Sequence, residues 1–517
     1  MHPSNQLTTS YPLEVFLFAS PVYWPDAAAR TDLFAQVEAL LSTCTQGDFS
    51  FRRVDRAEDL GDLTNKSQTP CLVVPLSGGV QPWMLRLSDT RDCLGLFAAY
   101  LPEAMPADLA GRLLHANAHP ASTDFFASCR LKGKRINWLA SLAEVADYAI
   151  AAQAATRLSR ARLLKIGETE PWVINSCRSP QQILSRVHTE VIPLEREALY
   201  AVYHTVTDAD AQDEADRWLA QAPRLISVQP SDILKACRVT VAMRQLLASH
   251  EADGLSMACF SMIGDLDTTS CLALSALNDS ANAIGACEGD LDAALTLFLL
   301  KSLGADFVWI ANPIVHANNA VDLVHCTAPT CACHQDLKFS LMRHHESGRG
   351  VSPEVVLPDA QVASIARISV NAQEMTCHTG WTERQRKLPA CHTQIRLHVA
   401  SSQAFLDTLL GTHQVLSYGL TGAASPTPPV SSASNTARPK PTCRSSPRPP
   451  RNPSLANPPT KPAPATPEPL TDLQSIYATG ISDRSRLLPR TLVDRTPPDR
   501  LAPDARSGLQ HRPRRRV

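Results

Sequence analysis

Long apolar runs are missing from this 517-residue chain: none reaches the ~18 residues that a bilayer-spanning helix needs. The opening MHPSNQLTTSYPLEV lacks the charged-then-apolar order of a secretory signal, so a soluble, cytoplasmic protein with no membrane partner is expected. Neither GxxxxGK[ST] nor GxGxxG occurs, which leaves nucleotide chemistry without support. A disulfide framework is missing too. The 15 cysteines are scattered, many inside apolar segments such as MACFSM and GACE, and read as reduced, buried thiols. Excess positive charge is also lacking where it would matter. Up to Gly422 there are 33 Lys and Arg against 44 Asp and Glu, and such an acidic body argues against nucleic acid as the main partner.

What the chain does have is enough apolar material, 44% of residues, to fill more than one core. Four regions are expected. Residues 1–150 mix strand signals (LEVFLFASPVYW, FSFRRV, PCLVVPL) with helical patterns (AAARTDLFAQVEALLS, TRDCLGLFAAYL), the texture of an α/β unit with a mostly parallel sheet. The Ala-rich stretch KRINWLASLAEVADYAIAAQAATRLSRA reads as a connecting helix. Residues 151–315 repeat the α/β pattern from ARLLKIGE through DFVWIAN. Residues 316–422 carry short apolar runs separated by polar turns, as in a mainly β domain. Residues 423–517 hold 20 of the 40 prolines among Ser, Thr, Ala and Arg, a composition expected to be disordered. Its basic end, HRPRRRV, reads as a solvated tail.

The chemistry concentrates in ANAIGACEGDLDAALTLFLLKSLGADFVWIANP, where Glu288 and Asn312 each close an apolar run with a helix pattern between them. If that is one strand-helix-strand unit, the strands run parallel and both residues emerge on the sheet edge where open α/β sheets bind ligands. Two oxygen donors there could share a divalent cation, with His325 of VDLVHC supplying a nitrogen. Asp290 and Asp292 fall in the first turn of the helix, where capping accounts for them. His325 and Cys326 together with Cys331, Cys333 and His334 lack paired CxxC spacing, so a structural zinc is not expected there.

The phrases GACEGDLDAALT, WIANP, VHCTAP, HHESGRGV, CHTQIRL and GTHQVLSYG, in this order, resemble the L-fucose isomerase and L-arabinose isomerase superfamily, closest to its fucose-isomerase-like members. The resemblance is strongest from Leu255 to Gly419. It implies two Rossmann-like α/β domains followed by a β-rich one, a homo-oligomer, commonly a hexamer, and interconversion of aldoses and ketoses on a divalent cation, usually Mn²⁺. Under it, Glu288 matches the metal-binding carboxylate that also moves protons, and Asn312 stands where characterised members have a second acid. His325 matches a histidine ligand, and His413 a C-terminal metal or substrate histidine. His344 becomes a substrate-loop residue, against a solvated turn otherwise; Trp172 is either interdomain packing or a platform for a sugar. The chemistry needs such groups: a cation on O1 and O2 steadies the cis-enediolate while a carboxylate relays the proton between carbons. An amide can ligate but cannot accept that proton, so Asn312 leaves the task to Glu288, alone or with another acid such as Glu346. A non-catalytic carbohydrate-binding relative is the alternative.

Overall fold

The computed structural model describes residues 6–44, 48–61, 69–91, 93–101, 104–332 and 335–420. The tail expected to be disordered lies outside the described residues, as do Cys333 and His334.

Five strands, β1 (Leu13–Phe18), β2 (Phe49–Val54), β3 (Cys71–Pro75), β4 (Cys93–Phe97) and β5 (Arg135–Leu139), form a parallel sheet in the order β2-β1-β3-β4-β5. Its core, centred on Phe16, Phe18, Val73, Leu96 and Phe125, is a cluster of its own. Two segments differ from the sequence expectation. TRDCLGLFAAYL is not helical: it contributes β4, because an apolar run this short, buried on both faces, satisfies a central strand as readily as a helix. KRINWLASL opens with β5 before Ser141 caps the helix Leu142–Arg160, the Ser hydroxyl accepting from Glu144 N.

The second sheet takes β6 (Arg162–Ile166), β7 (Glu190–Leu194), β9 (Gly254–Met257) and β10 (Ile284–Cys287), all parallel, in the order β10-β9-β6-β7. The short β8 (Leu225–Ile226) pairs elsewhere, with β15 (Phe339–Met342), which also pairs β16 (Ser352–Val355); β13 (Cys331–Ala332) and β14 (Gln335–Asp336) make a small hairpin. The remaining strands, β11 (Phe307–Val315), β12 (Ala320–His325), β17 (Val362–Ser369), β18 (Glu374–Glu383), β19 (Thr393–Val399) and β20 (Gln414–Tyr418), close into an antiparallel barrel in the order β11-β12-β19-β18-β17-β20. The fold class is therefore as the sequence suggested: two parallel α/β sheets followed by a mainly β region.

One inference within it fails. The strand carrying Asn312 is not a parallel neighbour of the strand that precedes Glu288; β11 belongs to the barrel, antiparallel to β12 and β20. The helix between them explains why. Leu291–Ser302 is apolar on nearly every side, and such a helix must be covered all round. Ile284, Ala286 and Leu163 of the sheet cover one side, while Val308, Ile310, Ala366 and Val415 of the barrel cover the other. The chain leaving this helix thus enters a second layer instead of returning to the first, and the sheet edge at β10 faces the barrel across it.

Candidate functional site

β10 ends at Cys287, and the next residue turns sharply. Glu288 has φ of +60° and Gly289 +67°, so the chain doubles back through two left-handed residues before the helix begins. Left-handed backbone at a non-glycine residue is uncommon and must be held by its surroundings. Here the Glu288 carbonyl accepts from Glu170 N at 3.0 Å, Gly289 N donates to Met257 O, and a Cβ on Gly289 would meet Thr169 Cα at 2.8 Å. The turn aims the Glu288 carboxylate at the barrel while leaving it only 8% exposed.

The two carboxylate oxygens have different company. Oε1 faces two imidazoles, His413 Nε2 at 3.6 Å and His325 Nε2 at 4.0 Å, whose rings meet edge to face 5.6 Å apart. Oε2 accepts a hydrogen bond from Trp172 Nε1 at 2.7 Å. Groups that share one ion at roughly 2.1 Å stand about 3.0–3.5 Å apart, so each imidazole needs to draw in toward Oε1 by less than about an ångström; Cys287, buried beside them, joins Glu288 and His325 in a trio whose ligand atoms lie within 4.8 Å of one another. Their oxygen and nitrogen donors suit a divalent metal such as Mn²⁺ without singling it out.

His413 is locked from behind. Its Nδ1 donates to Asp290 Oδ2 at 2.9 Å, and Asp290 is paired at 3.0 Å with Arg367 Nη1, which also donates to His413 O at 2.7 Å. All are buried. Burial would push the His413 pKa down, but the hydrogen bonds and charges of Asp290 and Glu288 prevail and raise it to about 10. For Asp290, burial works upward and is outweighed by Arg367 and His413, which hold the carboxyl well below the usual range. His325, by contrast, is shifted down by burial. A carboxylate behind an imidazole fixes ring and tautomer, the arrangement typical of ligating histidines.

The sequence assigned Asp290 to capping alone. It does cap, accepting from Ala293 N at 2.9 Å, yet its other oxygen organises the cluster. No short-range signal marks that second role, because His413 is 123 positions away. Glu170 was also missed, although it closely precedes Trp172 in the sequence. It is buried, its Oε1 accepts from Phe260 N at 3.1 Å, and burial, reinforced by the charge of Glu288, raises its pKa. Glu346 is raised by the same two causes in the same order, though it is exposed.

Asn312 stands apart from the three converging side chains. The β11–β20 ladder ends at Ala311–Gln414, so Asn312 and His413 are the next positions on adjacent strands. Asn312 is half-buried and its Oδ1 accepts from Thr412 Oγ1 at 3.2 Å; no hydrogen bond joins it to Glu288, His325 or His413 among the described residues. Trp172 is 53% exposed, its ring edge to face with Phe260, which in turn meets His344. His344 is buried, and its Nδ1 lies 3.0 Å from Ser347 Oγ. At the carboxyl ends of β6, β7 and β9 opens a cavity of about 230 Å³ lined by Gly167, Glu170, Arg196 and Ala258 among others. Glu288 does not line it; Glu170 does, and connects the two.

No family model matches the chain. A curated relative, the sulfoquinovose isomerase of Alkalicoccus urumqiensis, is 28% identical over 123 residues, 22% of this chain and 28% of that protein. The chain thus matches little more than a quarter of that relative's length, a weak and partial likeness to a sugar isomerase. Among the described residues no helix is long and apolar enough to cross a membrane.

Proposed function

We propose that this chain is an aldose–ketose isomerase acting on a monosaccharide, with Glu288, His325 and His413 holding a divalent cation, Mn²⁺ in the first instance. The observation that carries the reading is the meeting of two buried imidazoles on one oxygen of Glu288, with Asp290 fixing one of them from behind. The cation, when bound, supplies electrostatic stabilisation to the two sugar oxygens of the enediolate. Glu288 takes the proton from C2 of the aldose and returns it to C1, and Trp172 orients the carboxylate for both steps. Glu170, an acid with a raised pKa beside Glu288, is the partner that passes a proton between O1 and O2. Asn312, next to His413, serves as an outer oxygen donor once it turns from Thr412. His344 supports the substrate loop. The partial likeness to a sulfoquinovose isomerase favours the same reaction class and leaves the sugar open.

The test is ketose formation from L-fucose, L-arabinose, D-arabinose and sulfoquinovose with and without Mn²⁺. Metal-dependent turnover that vanishes in Glu288→Gln is expected. Sugar binding with no ketose under any divalent metal would favour a non-catalytic carbohydrate-binding protein instead.

A further inference from the structure

Behind the Glu288 cluster lies a second convergence, whose two thiols isomerisation does not use. Cys271 Sγ stands 3.6 Å from Cys326 Sγ, and the ring of His344 completes a trio whose ligand atoms all fall within 4.8 Å of one another. Cys271 opens the helix Cys271–Asp279, Cys326 follows β12 directly, and His344 sits between β15 and β16. All three are buried, at 3%, 4% and 4% exposure. The Cys326 thiol also interacts with those of Cys287 and Cys391, and Cys287 Sγ lies 3.2 Å from Cys259 Sγ.

A single buried thiol needs no explanation, since cysteine packs as a small apolar residue. Two sulfurs and an imidazole brought from three separate segments to ligand spacing are another matter. A tetrahedral zinc with Zn–S of about 2.3 Å and Zn–N of about 2.0 Å sets sulfurs about 3.8 Å apart and sulfur from nitrogen about 3.5 Å. The Cys271–Cys326 separation of 3.6 Å fits that edge without rearrangement. His344 Nδ1 is engaged on the far side of the ring, 3.0 Å from Ser347 Oγ and accepting from Ser347 N at 3.4 Å, so Nε2 is the nitrogen left to face an ion. His325 divides this trio from the first cluster, its Nε2 facing Glu288 and its Nδ1 lying 3.8 Å from Cys326 Sγ. The Glu288 side adds a carboxylate to the Cys287 thiol, whereas the Cys271 side offers two sulfurs and no oxygen, a set that suits a softer cation.

We propose that Cys271, Cys326 and His344 form a second, thiolate-rich metal site of the zinc class, with Cys287 or Cys391 as fourth donor. Such a site ties the start of a sheet-side helix to the barrel and to the loop bearing Glu346, bracing the turn that presents Glu288.

The experiment is Co²⁺ titration of the full chain, reduced and freed of metal, followed by absorption. A thiolate-to-cobalt charge-transfer band displaced by Zn²⁺ is expected. It should be lost, with zinc affinity falling more than about 100-fold, in Cys271→Ser and Cys326→Ser, and retained in Glu288→Gln. Because Cys326→Ser could unfold the chain, alkylation of the parent protein read by mass spectrometry gives a second measure: Zn²⁺ should slow modification of Cys271 and Cys326 together. Absence of the band in the parent protein, or its survival in a folded Cys271→Ser variant, overturns the proposal. The spectrum is independent of turnover, so an intact band in a protein that isomerises no sugar would sink the isomerase reading alone.

Discussion

The two parallel sheets of this chain invite comparison. Both have buried apolar strands and helices on their faces, yet the carboxyl edge of the first offers little chemistry. There the strand ends lead to Ala19, Ser20, Asp55, Leu76 and Ser77; Asp55 is taken up by Arg30 at 2.9 Å, and Ser77 Oγ accepts from Ser20 N at 2.8 Å. The second sheet abuts the barrel, and at that junction Glu288 and Asp290 from the sheet side meet His325, His413 and Arg367 from the barrel side. Among the described residues, both groupings of potential metal ligands lie at this junction. Sheet topology supplies an edge; a second layer facing that edge supplies the partners that turn a lone carboxylate into a site.

The comparison is broken most directly by removing charge on each side of it. Glu288→Gln should lower ketose formation by about 10³-fold or more, the effect of losing both proton transfer and an anionic ligand. Ser77→Ala, at the matching edge of the first sheet, should change kcat less than about twofold while costing roughly 1 kcal/mol in a denaturant titration. Equal losses in the two variants would mean that the first sheet's edge belongs to the active site. Asp290→Asn comes next. It strips the countercharge from a buried arginine and should cost about 3–5 kcal/mol of stability in denaturant unfolding, with metal affinity weakened by about 10–100-fold in a Mn²⁺ titration. A variant as stable as the parent would show that Arg367 finds another partner.

Much of this arrangement was legible in the sequence. Alternating strands and helices gave the two α/β sheets, the short runs after Pro313 gave a mainly β region, and the carboxylate ending the β10 run singled out Glu288. What was not legible is instructive. The apolar FVWIAN run is equally suited to a parallel sheet and to a barrel, so β11 was assigned to the wrong layer, and the sign that decides it, a helix apolar on both sides, lies in the neighbouring segment. Asp290 and the Cys271–Cys326 contact were invisible because their partners are remote in sequence, and one role that suffices, capping or core packing, conceals a second.

A smaller effect separates the buried acids from each other. Asp292 is wholly buried, and burial, outweighing the pull of Arg367, pushes its pKa from 3.8 up to about 6. The folded protein therefore holds this proton more tightly than the unfolded chain does, and stability should fall as pH rises from about 4 through about 6 and stay lower above that. Asp292→Asn removes this fall. The amide gives up one of the acceptors that serve Cys177 N and Val370 N, a cost independent of pH, so the slope is what discriminates. Relative to the parent, the variant should gain about 1–3 kcal/mol between pH 4 and pH 7 in denaturant unfolding. Parallel pH profiles would mean that Asp292 is ionised throughout, held by its two backbone donors and Arg367.

The smallest effect bears on which wall of the junction orients the carboxylate. Trp172 belongs to the sheet side and donates to Glu288 Oε2, while the barrel histidines face Oε1. Replacing it with Phe keeps an aromatic ring against Phe260 and removes only the donor. Since the ring is 53% exposed, the fold should tolerate the change within about 0.5 kcal/mol. A hydrogen bond to a charged group is worth about 1.5 kcal/mol or more, so kcat should drop roughly tenfold with KM little altered if the tryptophan acts by steering Glu288. A rise in KM at constant kcat would instead assign the ring to sugar stacking, and no change in either would make the barrel side sufficient to hold the carboxylate.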